Sequence, residues 1–94
     1  MATMFVKHTV KDYASWKRVY DEFASVRKGM GVTGASVHRS AQDPNTLIVT
    51  HQFKDLNTAT AFVNSDELKS AMANAGVQGA PEIWLSDDIE RTPF

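Results

Sequence analysis

"VKHTVKDYASWKRVYDEF", residues Val6 to Phe23, carries two periodicities in succession. From Met4 to Val10 the period is two: Met4, Val6, His8 and Val10 share one face, and Phe5, Lys7 and Thr9 share the other, which is strand patterning. Asp12 is then a natural N-cap. Trp16, Val19, Tyr20, Phe23, Val26 and Met30 recur at helical spacing until Gly29 and Gly31 end the run. The stretch is a strand feeding an amphipathic helix, and the strand face that holds His8 is the one to be covered.

Working outward, Val32–Ser40 and Thr46–Phe53 read as two further strands joined across "AQDPN", where Asp43, Pro44 and Asn45 supply turn chemistry. Symmetric pairing about that turn places Ala35, Val37, Leu47, Val49, His51 and Phe53 on one face. Ser36, His38, Ile48, Thr50 and Gln52 fall on the other, so the first face is the inner one. Asp55 caps a short helix carrying Ala59, Phe62 and Val63. Ser65, Asp66 and Glu67 open another, with Leu68, Met72 and Ala75, which Gly76 ends. "VQGAP" is expected as a loop. "EIWLSDDIE" is expected as a last strand, with Ile83 and Leu85 alternating against Glu82, Trp84 and Ser86.

The order strand, helix, strand, strand, helix, strand is the split βαβ pattern of an α+β, ferredoxin-like βαββαβ fold. It predicts a four-stranded antiparallel sheet with the first and third strands as central neighbours and the helices on one face. At this length, residues 1–94 are expected to form one domain. The second sheet face carries Phe5, Ile48 and Trp84 among polar residues, with no element left to cover it. Apolar surface left in water costs about 25 cal/mol per Å², so a homodimer through this face is expected. The alternative is a solvated sheet surface with scattered aromatics.

Composition narrows the partners. Ten basic and eleven acidic residues give a formal charge of -1, which supplies no field for a phosphate backbone, so no nucleic acid is expected. "TLIVTHQF" also lacks the paired aromatics and basic residue that hold RNA bases on a sheet of this kind. There is no cysteine, which removes disulfides, thiolate zinc sites and thiol nucleophiles together. "MATMFVKHTV" lacks a signal-peptide pattern and no apolar run approaches a membrane span, so a cytoplasmic protein with no membrane partner is expected.

Three stretches carry a family resemblance: "VKHTVKDYASWKRVYDEF", "GVTGASVHRSAQDPNTLIVTHQF" and "DELKSAMANAGVQGAP". In that order, over nearly the whole chain, they resemble the dimeric α/β-barrel superfamily, particularly its antibiotic-biosynthesis-monooxygenase-like and "cyclase"-labelled small proteins. The strongest parts are His8 before Asp12, Tyr13 and Trp16, and the Ala75-Gly76-Val77 turn running into Pro81. The resemblance implies a ferredoxin-like monomer, a dimer whose two sheets close a barrel, and a small-molecule cavity between helices and sheet. It does not imply one reaction, because relatives oxidise aromatic polyketides or quinols, degrade haem or isomerise lactones. Haem-degrading relatives place an iron-ligating histidine on the second helical region. This chain has none between Leu56 and Gly76, so haem degradation is not expected.

The chemistry-bearing candidates are His8 and His51, both on inner faces of neighbouring central strands beneath the helix that offers Tyr13, Trp16 and Tyr20. An imidazole with an ordinary pKa of about 6.5 can remove a phenolic or enolic proton near neutral pH and assist a rate by roughly 10²- to 10⁴-fold. The resulting anion can react with oxygen in an apolar cavity, which needs no cofactor. Tyr13, Trp16, Tyr20, Phe62, Met72 and Leu85 are the expected substrate-binding residues. No acidic residue falls near the two histidines on the inner faces, and His38 falls on the opposite face, so no metal site is expected. The competing account makes each histidine a hydrogen-bonded core residue and each ring a packing residue. At the level of function, the expectation is a cofactor-independent monooxygenase or a cyclase or isomerase acting on an aromatic or enolic compound. The alternative is a non-catalytic module that binds a small ligand in the same cavity.

Overall fold

The computed structural model describes residues Met1–Phe94. Strand β1 (Ala2–Val10) leads into α1 (Tyr13–Glu22) and α2 (Ala24–Gly29), then β2 (Gly34–Arg39) and β3 (Thr46–Phe53), α3 (Leu56–Val63), α4 (Asp66–Asn74) and β4 (Val77–Asp87). The four strands form one antiparallel sheet in the order β2-β3-β1-β4, with β1 and β3 central. This is the ferredoxin-like βαββαβ arrangement, each α position being occupied by a pair of short helices.

Register decides which residues meet. Met4 pairs with His51 and Leu85, and Val6 with Val49 and Ile83, while His8 pairs with Leu47. These side chains share the face that carries the core, in which Met4, Val6, Val10, Leu47, Val49 and Phe53 are buried. From above, Trp16, Ala59, Phe62, Leu68 and Ala75 complete it. Three side-chain caps fix where the helices begin. Asp12 accepts from the Ser15 N–H at 2.9 Å, Asp55 from the Thr58 N–H at 2.8 Å and Ser65 from the Leu68 N–H at 3.2 Å.

The structure departs from the sequence reading in three places. The first helix is not continuous: α1 closes at Phe23, whose backbone at φ -82°, ψ -2° serves both as C-cap of α1 and as N-cap of α2. Beyond this joint Arg27, not Val26, is buried. Second, the expected loop "VQGAP" belongs to β4, which also ends earlier than expected, at Asp87. Lys7 pairs with Glu82 and Thr9 with Gln78, so β4 bulges across from His8. Gly79, at φ +70°, accommodates the bulge, and Pro81 is tolerated because β4 is an edge strand. Third, β2 is shorter than Val32–Ser40. It starts after Gly31, whose φ of +97° and close approach to the Thr58 methyl admit no side chain.

Phe5 and Trp84 stack face to face on the opposite side of the sheet, with centroids 5.6 Å apart, and Trp84 is 45% exposed. No helix is long and apolar enough to cross a membrane.

Candidate functional site

The inner face of β1 and β3 does not close completely against the helices. A cavity of about 50 Å³ lies between them. Its floor is Met4, Val6 and His8 of β1 with Val49 and His51 of β3. Its roof is Trp16, Val19 and Tyr20 of α1, Phe23 at the joint, and Arg27 of α2. Leu68, Ala71 and Met72 of α4, with Ala75, close the remaining side. A shallow groove of about 290 Å³ between α1 and α4 shares Val19, Phe23 and Ala71 with the cavity and is rimmed by Glu22, Glu67, Ser70 and Asn74. The α1–α4 seam is thus the short way from solvent to the cavity.

The local sequence places each side chain. Asp12 starts α1 so that Trp16, one turn on, turns its ring toward the sheet, and Tyr20 follows one turn later. The two rings stack at 4.8 Å. Beneath them His8 meets the edge of Trp16 at 5.9 Å, and His51 lies 6.4 Å from Tyr20 and 5.5 Å from Phe62. On helix α2 the Arg27 guanidinium lies 3.8 Å over the Tyr20 ring and donates from Nη2 to the Tyr20 carbonyl at 3.1 Å.

The two histidines occupy opposite ends of this arrangement. His51 sits across from Met4 and His8 across from Leu47, with the Val6–Val49 pair between the two rows. Four residues along a strand span about 13 Å, so the imidazoles act singly. Both are buried, His8 7% and His51 5% exposed. Neither ring nitrogen of His8 has a hydrogen-bond partner, and Nδ1 of His51 has none. Burial alone pushes the His8 pKa below its ordinary value. His51 is pushed down to about 4, first by burial and then by the positive charge of Arg27. Both rings are therefore neutral at pH 7, with lone pairs that no protein group occupies.

Of the residues expected to bind substrate, Trp16, Tyr20 and Met72 line the cavity. Tyr13 lies beyond Trp16, 6.0 Å from it, with Arg39 4.8 Å over its ring. Phe62 packs behind His51 against Phe53 and Phe23, and Leu85 packs at the β4 edge of the core. None of these three is in the cavity wall. His38 is on the far face, where its Nε2 meets the Ser36 hydroxyl at 2.9 Å. No group of three His, Asp or Glu side chains is gathered to hold a metal ion.

Sequence reasoning missed Arg27. The signal was present, since Arg27 is four residues after Phe23 and seven after Tyr20 on the same helical stripe. Its charge argued for the surface, and only the structure puts it under cover, at 9% exposure, without an ion pair.

The profile of the antibiotic biosynthesis monooxygenase family matches residues 6–74, well over half of the chain. The fold is similar to that of SnoaB, a cofactor-independent oxygenase from Streptomyces nogalater, at 14% identity and a TM-score of 0.78, with 99% of this chain and 97% of that one covered. It is also similar to NE2512, a protein of unknown function from Nitrosomonas europaea, at 20% identity and a TM-score of 0.75, covering 98% of this chain and 92% of that one. Rv0793 from Mycobacterium tuberculosis aligns over 98% of both chains at 7% identity and a TM-score of 0.72. Comparison with the curated proteins gave no match. The profile match across both central strands, the hairpin and the helices over the cavity shows that the chain belongs to the antibiotic biosynthesis monooxygenase family.

Proposed function

We propose that this protein is a cofactor-independent monooxygenase acting on a small aromatic or enolic compound held between α1, α4 and the sheet. One observation carries the reading: a buried, neutral imidazole, His8, has both nitrogens unpartnered in a cavity wall that is apolar apart from it, His51 and Arg27. A buried polar group without a partner is destabilising by about 1–3 kcal/mol, and its retention fits a role toward a ligand. His8 is the better proton acceptor of the two histidines, because Arg27 repels a proton from His51 and does not act on His8. Removing the phenolic or enolic proton to His8 leaves an electron-rich carbanion-like anion. Oxygen adds to its carbon to give a peroxide anion, which takes the proton back from His8, and loss of water from the resulting hydroperoxide leaves a carbonyl, so that one phenol and one O₂ give one quinone and one water. Trp16, Tyr20 and Met72 supply the apolar walls that exclude water from this sequence.

The small volume of the cavity supports a second reading. About 50 Å³ holds only a few waters, well below the roughly 300–1,000 Å³ of ordinary ligand sites, so a ring-sized ligand must part α1 from α4. A non-catalytic module that closes on a small ligand has the same walls and no turnover. Ala71, Ala75 and Met72 make that seam of small and flexible side chains, which lets it yield in either case.

The stacked Phe5–Trp84 pair on the uncovered sheet face supports assembly of two copies sheet to sheet. Oxygen-electrode measurements on hydroquinones, naphthols and enolic lactones test the catalytic reading. Uptake that falls by about 10²-fold or more in His8→Leu supports it. Uptake unchanged in that variant removes His8 as the base, and ligand binding with no uptake leaves the binding module.

A further inference from the structure

Arg27 is the one cation in the cavity wall, and nothing in the protein neutralises it. It is 9% exposed, its Nε is buried without a partner, and the sole ion pair of the structure, Lys17–Asp21, lies on a different helix, α1. Its guanidinium is held from two directions, by the Tyr20 ring below and by the Tyr20 carbonyl at Nη2. Those contacts fix its position and leave its charge uncompensated, because a guanidinium remains protonated in proteins. A buried charge without a counter-ion is destabilising, so its presence beside an apolar cavity calls for a partner that is not part of the chain.

We propose that the Arg27 end of the cavity is an oxyanion subsite, and that the protein takes an aromatic or enolic ligand through a carboxylate, separate from the hydroxyl that His8 deprotonates, held by the Arg27 guanidinium between Tyr20 and His51. The assignment deepens the reading of the cavity as the ligand site and rests on it. It also orients the ligand: with its anionic oxygen at the Arg27–His51 end, the rest of the molecule extends along Val6 and Val49 toward Trp16 and His8. Arg27 touches the ligand's charged group and acts as a binding and positioning residue. The rim of the outer groove, with Glu22 and Glu67, carries the opposite charge, so an anion is selected by the buried site and not by the surface around its entrance.

Benzoate and benzamide, matched in shape and differing in charge, test the subsite by calorimetric titration of the purified protein, with no turnover read. Benzoate is expected to bind about tenfold or more tightly than benzamide, the margin of a charge-assisted hydrogen bond. Arg27→Met, which keeps the aliphatic stem, is expected to remove that preference, and Arg27→Lys to keep part of it. Should Arg27→Met fail to fold, the wild-type protein still decides the matter. Benzoate neutralises the only charge that reaches His51, so the His51 ring resonances are expected to titrate at higher pH in its presence. Equal binding of the two probes, or a benzoate preference that survives in Arg27→Met, overturns the subsite and leaves the cavity standing as a ligand site. Binding of neither probe overturns the subsite too, and oxygen uptake on other compounds then tells whether the catalytic reading survives.

Discussion

Acidification is expected to destabilise this protein through its buried histidines before its carboxylates titrate. In the unfolded chain His51 has the ordinary value of 6.5, and in the folded protein it is held at about 4 by burial and by Arg27. A base with a depressed pKa binds fewer protons folded than unfolded, so stability is fully present above pH 6.5 and is lost as the pH falls toward 4. At 1.36 kcal/mol per unit, a gap of about 2.5 units is worth about 3 kcal/mol in total, of which about 2 kcal/mol is gone by pH 5. His8 is displaced in the same direction and adds to the loss. Asp12, Asp43 and Asp55, whose pKa values are lowered by hydrogen bonds from neighbouring backbone and side-chain groups, also lose stability on acidification. They do so only as the pH falls through the carboxylate range below about 4, which leaves pH 6.5 to 5 as a window for the histidines. A domain of this size has about 5–10 kcal/mol in hand, so the effect is a substantial fraction of it. The assay is urea unfolding at half-unit steps from pH 7 to 4.5, on the wild type and on His51→Leu. The wild-type free energy is expected to fall with a slope that the variant reduces by about 1.4 kcal/mol per pH unit near pH 5. A flat wild-type curve across that window, or the same slope in the variant, would refute the argument that a neutral, desolvated imidazole sits beside Arg27.

Four further outcomes follow from the geometry. His8→Leu is expected to raise unfolding free energy at pH 7 by about 1 kcal/mol, since it removes two buried unpartnered nitrogens, and a loss of that size would show a hydrogen bond the structure does not contain. Trp16→Ala removes a buried ring stacked on Tyr20 and set against His8, and is expected to lower stability by about 3–5 kcal/mol in chemical denaturation. Gly31→Ala forces a Cβ to 2.5 Å from the Thr58 methyl at a φ of +97°, whereas Gly79→Ala meets open space at φ +70°. The first is expected to lower the melting temperature clearly more than the second, which carries only the backbone term of about 1–2 kcal/mol. If the outer sheet face joins two copies, Trp84→Arg shifts sedimentation equilibrium toward the monomer by at least about tenfold in Kd, and an unchanged mass in both proteins would place Trp84 in solvent.

Reading the chain in order recovers the strands, the three capping residues and the face on which His8 and His51 lie, because each is a local property. Alternation and 3.6-residue spacing are visible wherever one side of an element is buried and the other is wet. The joint at Phe23 was not legible, since a helical stripe looks the same whether one helix carries it or two in succession. Nor was the strand character of "VQGAP": Gly79 and Pro81 are turn residues by composition, and only pairing with β1 across a bulge makes them strand.

The site divides along the same line. Sequence alone determined that two imidazoles and a set of rings face inward, since side-chain direction follows from strand and helix periodicity. Tertiary structure alone decided the rest. Strand register set the two histidines in different rows, and the path of α2 brought Arg27 over Tyr20 and under cover. The first is a relation between residues far apart in the chain, set by how the strands pair, and the second turns on the break at Phe23 that redirects α2. A charge on a helical stripe reads as solvent-facing until packing shows it covered, as Arg27 is to 9% exposure.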